Sequence, residues 1–507
     1  MSSPTISGET RLQTLLAARG PGLAEVTGPP PSTPAGKSGG AVALSLREAV
    51  LSGLAHNESF RVERLQPAIS RSAEEVERAA FDPLLTASVS HGQGQSMRTR
   101  ASRTTTSTQG LGDDAESTQA TLGLSQATTL GATVELSADQ EKTSLDERAA
   151  ESEQRNWDLT VTQSLLQGRG PEVTLARLRQ SRLDTEISLY ELQGAAEALV
   201  TQIEKGYWDL ILAERSLDIY QQSLTIAKDQ VTEVTERIKV GALAENEAAA
   251  AEAEAASRFQ QLVAAQGAVA KARLNLLRFV NPEGQADWQA ELTLTEEPEL
   301  REMGVDAVEN HVSLALSKRA DLNQARLLVR RRDLEVVQTK NGLLPKLDLF
   351  LSLGGSRFTD SFAGQGEQAD NQKAYAGGLA LELPLGNRVA KARHAAAGWS
   401  LDQANAALSN MEQLVQVDVR SAHVDVEQAA AQVKASQATV LLREKTLALE
   451  QEKFRLGRST TLLVAQAQRD LVASQIALAE AVVAVRKAFI DLYRLEGSLL
   501  AHRGIGS

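Results

Sequence analysis

One pattern constrains this chain more than any other. A helical stretch of nearly 70 residues, a glycine turn and a shorter returning helix occur in that order twice. Aligning Val240-Gly241 with Leu456-Gly457 brings the two halves into step at an offset of 216 residues. That offset lies far outside the roughly 20–50-residue periods of solenoid repeats. Helical periodicity precedes each glycine over Pro171–Lys239 and Arg388–Arg455, about 100 Å of helix at a rise of about 1.5 Å per residue. The returning helices are predicted over Ala242–Phe279 and Arg458–Leu495. A helix this long cannot bury its apolar stripe in one compact globule and needs partner helices along its length.

The stripe itself is a coiled-coil seam. Leu189, Ala196, Ile203, Leu210, Leu217, Leu224, Val231 and Ile238 recur seven residues apart. Leu192, Leu199, Gly206, Ala213, Tyr220, Ala227 and Val234 fill the second seam position, giving a 3-4 spacing. The second long helix carries a weaker version in Leu408, Val415, Val419, Ala422, Val426, Ala429, Val433 and Val440. Shorter helices predicted over Ser45–Ala80 and Val305–Lys340 supply further partners. Stacked end to end with the returning helices, they match the long helices in length.

Between these helices the periodicity changes from helical to alternating. Apolar residues occupy every second position in Leu85–Ser90, Ala120–Ser125 and Gly131–Ser137, and Trp157, Leu159, Val161 and Leu165 alternate with polar residues in the next segment. In the second half Leu347, Leu349, Leu351 and Leu353 alternate in the same way, followed by Tyr375, Leu379, Leu381 and Leu383. Period-2 segments of about ten residues are the signature of a transmembrane β-barrel, and a half-buried soluble strand looks the same. Gly92–Glu116 and the Gly/Asp/Gln-rich stretch after Leu353 read as long polar loops. The alternation yields six candidate strands.

Composition removes whole classes of function. A net charge of −12 argues against nucleic acid as a partner. The absence of cysteine removes disulfides, thiolate zinc sites and thiol nucleophiles together. The six histidines form no HExxH or similar metal-binding spacing, so no metal, cofactor or catalytic constellation is expected. Gly36-Lys37-Ser38 echoes the end of a P-loop, but Pro31 stands where the first glycine belongs. No run of about 18 apolar residues exists that would form a spanning helix. Residues 1–40 offer only the interrupted stretch Leu12–Ala18 and then a Pro/Gly/Ser-rich segment, so no export signal is evident.

The organisation read from these patterns is a disordered segment over 1–43, one repeat over 44–280, a linker over 281–304, a second repeat over 305–500 and a tail over 501–507. The fold class is mainly α with membrane β-strands: a duplicated helical-hairpin tunnel plus a barrel shared among chains. The alternative is a soluble, elongated coiled-coil scaffold whose strands form a small sheet.

Several short motifs in this order carry a family resemblance. They are Ser45-Leu46-Arg47-Glu48-Ala49-Val50, Ala80-Phe81-Asp82-Pro83, Leu165-Leu166-Gln167-Gly168-Arg169-Gly170, Leu381-Glu382-Leu383-Pro384-Leu385-Gly386, Lys239-Val240-Gly241 and Arg455-Leu456-Gly457. Together, over about residues 44–500, they resemble the TolC-like outer membrane efflux proteins. The resemblance implies a homotrimer whose outer-membrane barrel continues as a helical tunnel across the periplasm. It also implies a periplasmic adaptor, an inner-membrane pump and outer-membrane lipid as partners, and passive conduction of drugs or proteins.

Two sets of site residues follow. The turns Val240, Gly241, Ala242 and Leu456, Gly457, Arg458 are the expected adaptor-docking tips. The best-known member of the family narrows its tunnel with aspartates after the second turn. Here that stretch, Ser459–Gln466, has no acid, so Glu245 and Glu247 after the first turn are the candidate constriction. Their plain reading is as charges favoured by the helix dipole. Arg330-Arg331-Arg332 reads as a solvated helix face. Trp157 and Tyr375 are expected at strand ends in an interfacial belt, and Trp399 in the core. The usual barrel of the family takes four strands per chain, so Ala120–Ser137 reads as an inserted hairpin or part of a wider barrel.

Overall fold

The computed structural model describes residues 42–97, 112–145, 150–280, 288, 292–296, 304, 306–360 and 368–505. Its elements run β1 (Val42–Leu44), α1 (Leu46–His56), α2 (Glu58–Ala79), β2 (Leu84–Met97), β3 (Gly112–Ala127), β4 (Ala132–Leu145), β5 (Ala150–Ser164), α3 (Pro171–Thr174), α4 (Ala176–Lys239) and α5 (Asn246–Val280). They continue with β6 (Leu292–Leu294), α6 (Val308–Lys318), α7 (Ala320–Asn341), β7 (Lys346–Asp360), β8 (Gln368–Glu382), α8 (Arg388–Arg455), α9 (Thr461–Leu495) and α10 (Leu499–His502). The order of broken helix, strands, long helix, glycine turn and returning helix occurs twice. The described residues fall into two compact units, one within Met1–Pro67, Ile187–Ala325 and Leu408–Ser507 and the other within Ala68–Glu186 and Arg326–Ala407.

The first unit is helical, and its heptad seam is its core. Ala196, Ile203, Leu210, Leu224, Leu192, Leu199, Ala227 and Val234 are buried, and the other seam positions of α4 are half-buried. On α8, Val415, Val419, Ala422 and Val426 bury against Val312, Ala315, Phe489 and Leu492. Each short helix breaks where it meets the end of a returning helix. Asn57 separates α1 from α2: its amide donates to the Phe279 carbonyl (3.2 Å) and its side-chain oxygen caps the Phe60 N–H (3.1 Å). Arg319 separates α6 from α7, and a Cβ on Gly497 would lie 3.0 Å from the Arg319 backbone. The single helices expected over Ser45–Ala80 and Val305–Lys340 are therefore each two, because local capping and close backbone approach interrupt a continuous periodicity.

The expected long helix Pro171–Lys239 also divides, at Leu175, into α3 and α4, whereas α8 spans Arg388–Arg455 unbroken. The returning helices start later than expected, at Asn246 and Thr461. Of the segment read as disordered, residues 1–41 lie outside the described residues, and Val42 and Ala43 join Leu44 in β1. It pairs in parallel with β6, within the segment read as a linker. The Tyr207 hydroxyl ties this pair to α4, donating to the Leu44 carbonyl (3.1 Å) and accepting from the Glu296 N–H (3.4 Å).

The second unit holds one six-stranded antiparallel sheet of order β2-β3-β4-β5-β7-β8. All six expected strands are present, and each is longer than its apolar core. Gly92–Met97 and Gly112–Glu116, read as loop, pair in the β2–β3 ladder. Gly354–Asp360 and Gln368–Ala374 extend the β7–β8 ladder in the same way. Ladder hydrogen bonds need only backbone, so strands continue where side-chain alternation has faded into Ser, Gly and Gln. The remainder of those loops, 98–111 and 361–367, lies outside the described residues.

Candidate functional site

The register of the sheet gives each face a distinct chemistry. Residues directly opposite one another in an antiparallel ladder share a face. Leu85 stands opposite Leu124, then Leu136, Leu159, Leu353 and Tyr375, one apolar row crossing all six strands. The next row is Val134, Val161, Leu351 and Gly377, followed by Leu349 with Leu379 and Leu347 with Leu381. On the other side of the first row lie Ala87, Leu122, Ala138, Trp157 and Gly355. From Leu347 to Gly355 the apolar face is nine residues tall along β7, within the about 9–11 residues that a tilted strand needs to cross a bilayer. Leu85, Val89, Leu122, Leu351, Leu379 and Leu381 are all exposed on it.

The opposite face is polar and anionic. Its rows read Ser125, Glu135, Thr160, Ser352 and Gly123, Ser137, Asp158, Gly354. It presents Glu135, Asp139, Glu141, Asp158, Asp348 and Glu382 against Lys346. Asp158 accepts from Thr160 and from Ser352, both at 2.5 Å, so its carboxylate is drawn toward the neighbouring row. One face for hydrocarbon and one for water is the partition a water-filled membrane barrel requires.

The aromatic expectations need correction. Trp157 and Tyr375 lie in the middle of β5 and β8, because the strands run on past their apolar segments. Trp157 nonetheless sits in the outermost apolar row, its indole lying over Gly355, where a Cβ would come within 2.5 Å of Nε1. Tyr375 is 89% exposed. Trp399, expected in the core, is 73% exposed; α8 turns that residue away from its buried seam. Of the arginine run, Arg330 is exposed, while Arg331 pairs with Asp184 (2.8 Å) and Arg332 with Glu335 (2.9 Å).

In the helical unit the two glycine turns have the same construction. Gly241 has φ +74° and Gly457 has φ +70°. Around the first, Gly241 N–H donates to the Ile238 carbonyl (2.9 Å) and Ala242 N–H to Arg237 (2.8 Å). Around the second, Gly457 donates to Phe454 (3.0 Å) and Arg458 to Lys453 (2.7 Å). Both are Schellman caps, in which a left-handed residue satisfies the last helical carbonyls. The turns are joined by a shared core of Val234, Ala251, Phe454 and Val464. The Arg237 guanidinium lies 4.9 Å from the Phe454 ring centroid.

Outside that core the turns present apolar side chains. Val240 is 78% and Leu456 70% exposed, and Leu462 and Leu463 are exposed beside them. Gly241, Ala242, Gly457 and Arg458 are exposed as well. Glu245 lies exposed in the turn before α5, and Glu247 stands half-buried in its first helical turn. The second hairpin has no acid there; Thr460 instead caps α9 through the Leu463 N–H.

Sequence reading missed the charged groups buried in this unit. Glu204, fully buried, receives both Nε and Nη2 of Arg503 at 2.5 and 2.7 Å. Burial raises its pKa while the Arg503 hydrogen bonds pull it back. Among the described residues Glu197 has only Gln193 as a hydrogen-bonding side chain (3.0 Å), and burial pushes its pKa up to about 7. Glu496 meets His311 at 2.5 Å. Glu197 and Glu204 stand on a helix otherwise read by its apolar spacing, so only the interruption of an apolar face by an acid could have marked them, while Glu496 is the C-cap of α9.

Comparison with known proteins agrees with this geometry. Residues 311–498 match the family model of the outer membrane efflux proteins. Comparison with curated protein sequences yields no match. Among solved structures, a membrane protein from Pseudomonas aeruginosa is similar with a TM-score of 0.65 at 19% identity, covering 89% of this chain and 90% of that one. The CmeC outer membrane channel of Campylobacter jejuni gives 0.65 at 14% identity over 90% and 86%. The open-state MtrE outer membrane channel of Neisseria gonorrhoeae gives 0.61 at 18% over 90% and 89%. Residues 311–498 thus match the outer membrane efflux protein family model, and over about nine-tenths of its length the chain shares the fold of these outer membrane channels.

Proposed function

We propose that this protein is the outer-membrane channel of a tripartite efflux or type I secretion system, conducting small molecules or proteins passively across the periplasm and outer membrane. The observation that carries the reading is the two-faced sheet, with an apolar face of membrane-spanning height backed by a hydrophilic face. Among the described residues β2 and β8 have no outer partner, and an open edge is not tolerated in hydrocarbon. A homotrimer closes those edges against one another. Three chains of six strands make an 18-stranded barrel, the size class that leaves an aqueous channel. The seam helices line the tunnel, and energy comes from an inner-membrane pump. A soluble scaffold would leave the whole apolar face in water.

The exposed tips Val240, Gly241, Ala242, Leu456, Gly457 and Arg458 are the docking surface for a periplasmic adaptor, which biases the hairpins toward opening. Glu245 and Glu247 form the narrow point of the tunnel. Single-channel recording in planar bilayers tests both parts. The expected result is a stable conductance from a detergent-purified trimer, with cation preference reduced by Glu245→Gln and Glu247→Gln. A monomer that dissolves without detergent and carries no current overturns the channel. Unchanged selectivity in both variants removes the two glutamates from the pore.

A further inference from the structure

The apolar face of the sheet ends abruptly, and what ends it is positive charge. Beyond the row of Trp157 and Gly355, the next row places Arg155 directly opposite Arg357, with Asn371 beyond it. Lys373, opposite Gly355, stands one step diagonally from Arg357 on the same face. Lys142 follows one row further out, opposite Glu153. Like charges directly opposite on a sheet repel, yet here two guanidinium groups and an ammonium share one corner of a chain whose net charge is −12.

Among the described residues, local carboxylates neutralise only one of these three cations. Glu153 pairs with Arg155, at 2.7 Å from Nη2 and 2.8 Å from Nε. Arg357 and Lys373 are both exposed and make no ion pair among the described residues. The acids of the sheet centre lie on its other face. The partner this corner lacks is therefore an external anion. Because the cations border a hydrocarbon-facing surface, that anion comes attached to acyl chains.

We propose that Arg155, Arg357 and Lys373 form a binding site for the phosphate headgroup of an anionic membrane lipid, whose chains lie along the Leu353, Leu351 and Leu379 surface. Arginine offers forked donors that match phosphate oxygens, and Trp157 beside the cluster is suited to the interfacial depth. The site rests on the membrane reading of the sheet.

The test is native mass spectrometry of the detergent-purified full-length protein titrated with phosphatidylglycerol or with phosphatidylcholine. The expected result is at least a tenfold preference for phosphatidylglycerol, lost in the triple variant R155Q/R357Q/K373Q and reduced in R357Q alone. The single variant keeps the test open if the triple one fails to assemble. Equal retention of the two lipids, or a preference unaffected by R357Q, overturns the site. Full displacement of the lipid by inorganic phosphate also overturns it, since that marks a site for free anions. Conductance of the unaltered protein in phosphatidylcholine bilayers tests the channel separately, so loss of the lipid preference with conductance intact refutes only the site.

Discussion

The two units of this protein use the same aliphatic residues in opposite senses. In the helical unit Leu210 and Ile203 are almost wholly buried, and the charged residues of α4 and α8 mostly face out. In the sheet unit Leu351, Leu379 and Leu381 stand on the exposed face, and Glu135 and Asp158 stand on the other. The lesson is that apolar patterning names a face and not a location. The solvent against which that face rests decides whether it is a core or a coat.

Substitutions that treat the two units alike give the sharpest test. The largest effect is expected for Leu210→Ala, which leaves a cavity in the helical core and costs about 2–5 kcal/mol, read as a lowered denaturant midpoint. Leu351→Ala should cost much less, since lipid chains fill the space it vacates. Comparable losses at the two positions would end the contrast. Leu351→Arg reverses the ranking on the sheet: a charge at the middle of the apolar face is expected to cost about 2–4 kcal/mol. The check is loss of folded, heat-modifiable protein from reconstituted membranes, and retention of normal yield would place that face in water.

A smaller effect separates the units by pH. Glu197 has a folded pKa of about 7 against an ordinary value of 4.5, raised by burial. The folded state therefore holds a proton that the unfolded state has lost between those values, and stability falls as pH rises through the window. Glu197→Gln should flatten the unfolding curve between about pH 4.5 and 7. An unchanged slope would show that the carboxyl is solvated.

The smallest expected loss comes from the turns. Gly241→Ala and Gly457→Ala each force a side chain into the left-handed region, costing about 1 kcal/mol. Pulsed hydrogen exchange at Val240 and Leu456 should report faster local opening with global stability little changed. Equal protection would mean that the caps relax at no cost.

Much of this was legible from sequence. Every seam position of α4 is buried or half-buried, because a 3-4 spacing leaves a long helix one face to bury. The turn glycines were legible because few residues other than glycine accept a left-handed cap. Less was legible where two distant segments meet. The breaks at Asn57 and Arg319 depend on Phe279 and Gly497, each far along the chain, and nothing local announces them. Strand ends in Ser, Gly and Gln look like loops until their ladder partners are known. The cluster of Arg155, Arg357 and Lys373 was equally hidden, since its members come from three strands and only the register brings them together.

The hairpin of β3 and β4 carries a consequence of its own. Its two strands leave and re-enter on the same side, so β2 and β5 keep opposite directions whether or not it is present. A pair of strands is the smallest addition that preserves this parity; a single strand would reverse everything downstream. The circumference of such a cylinder can therefore be changed by whole hairpins, like links added to a bracelet, while the sequence that builds the α-helices is left untouched.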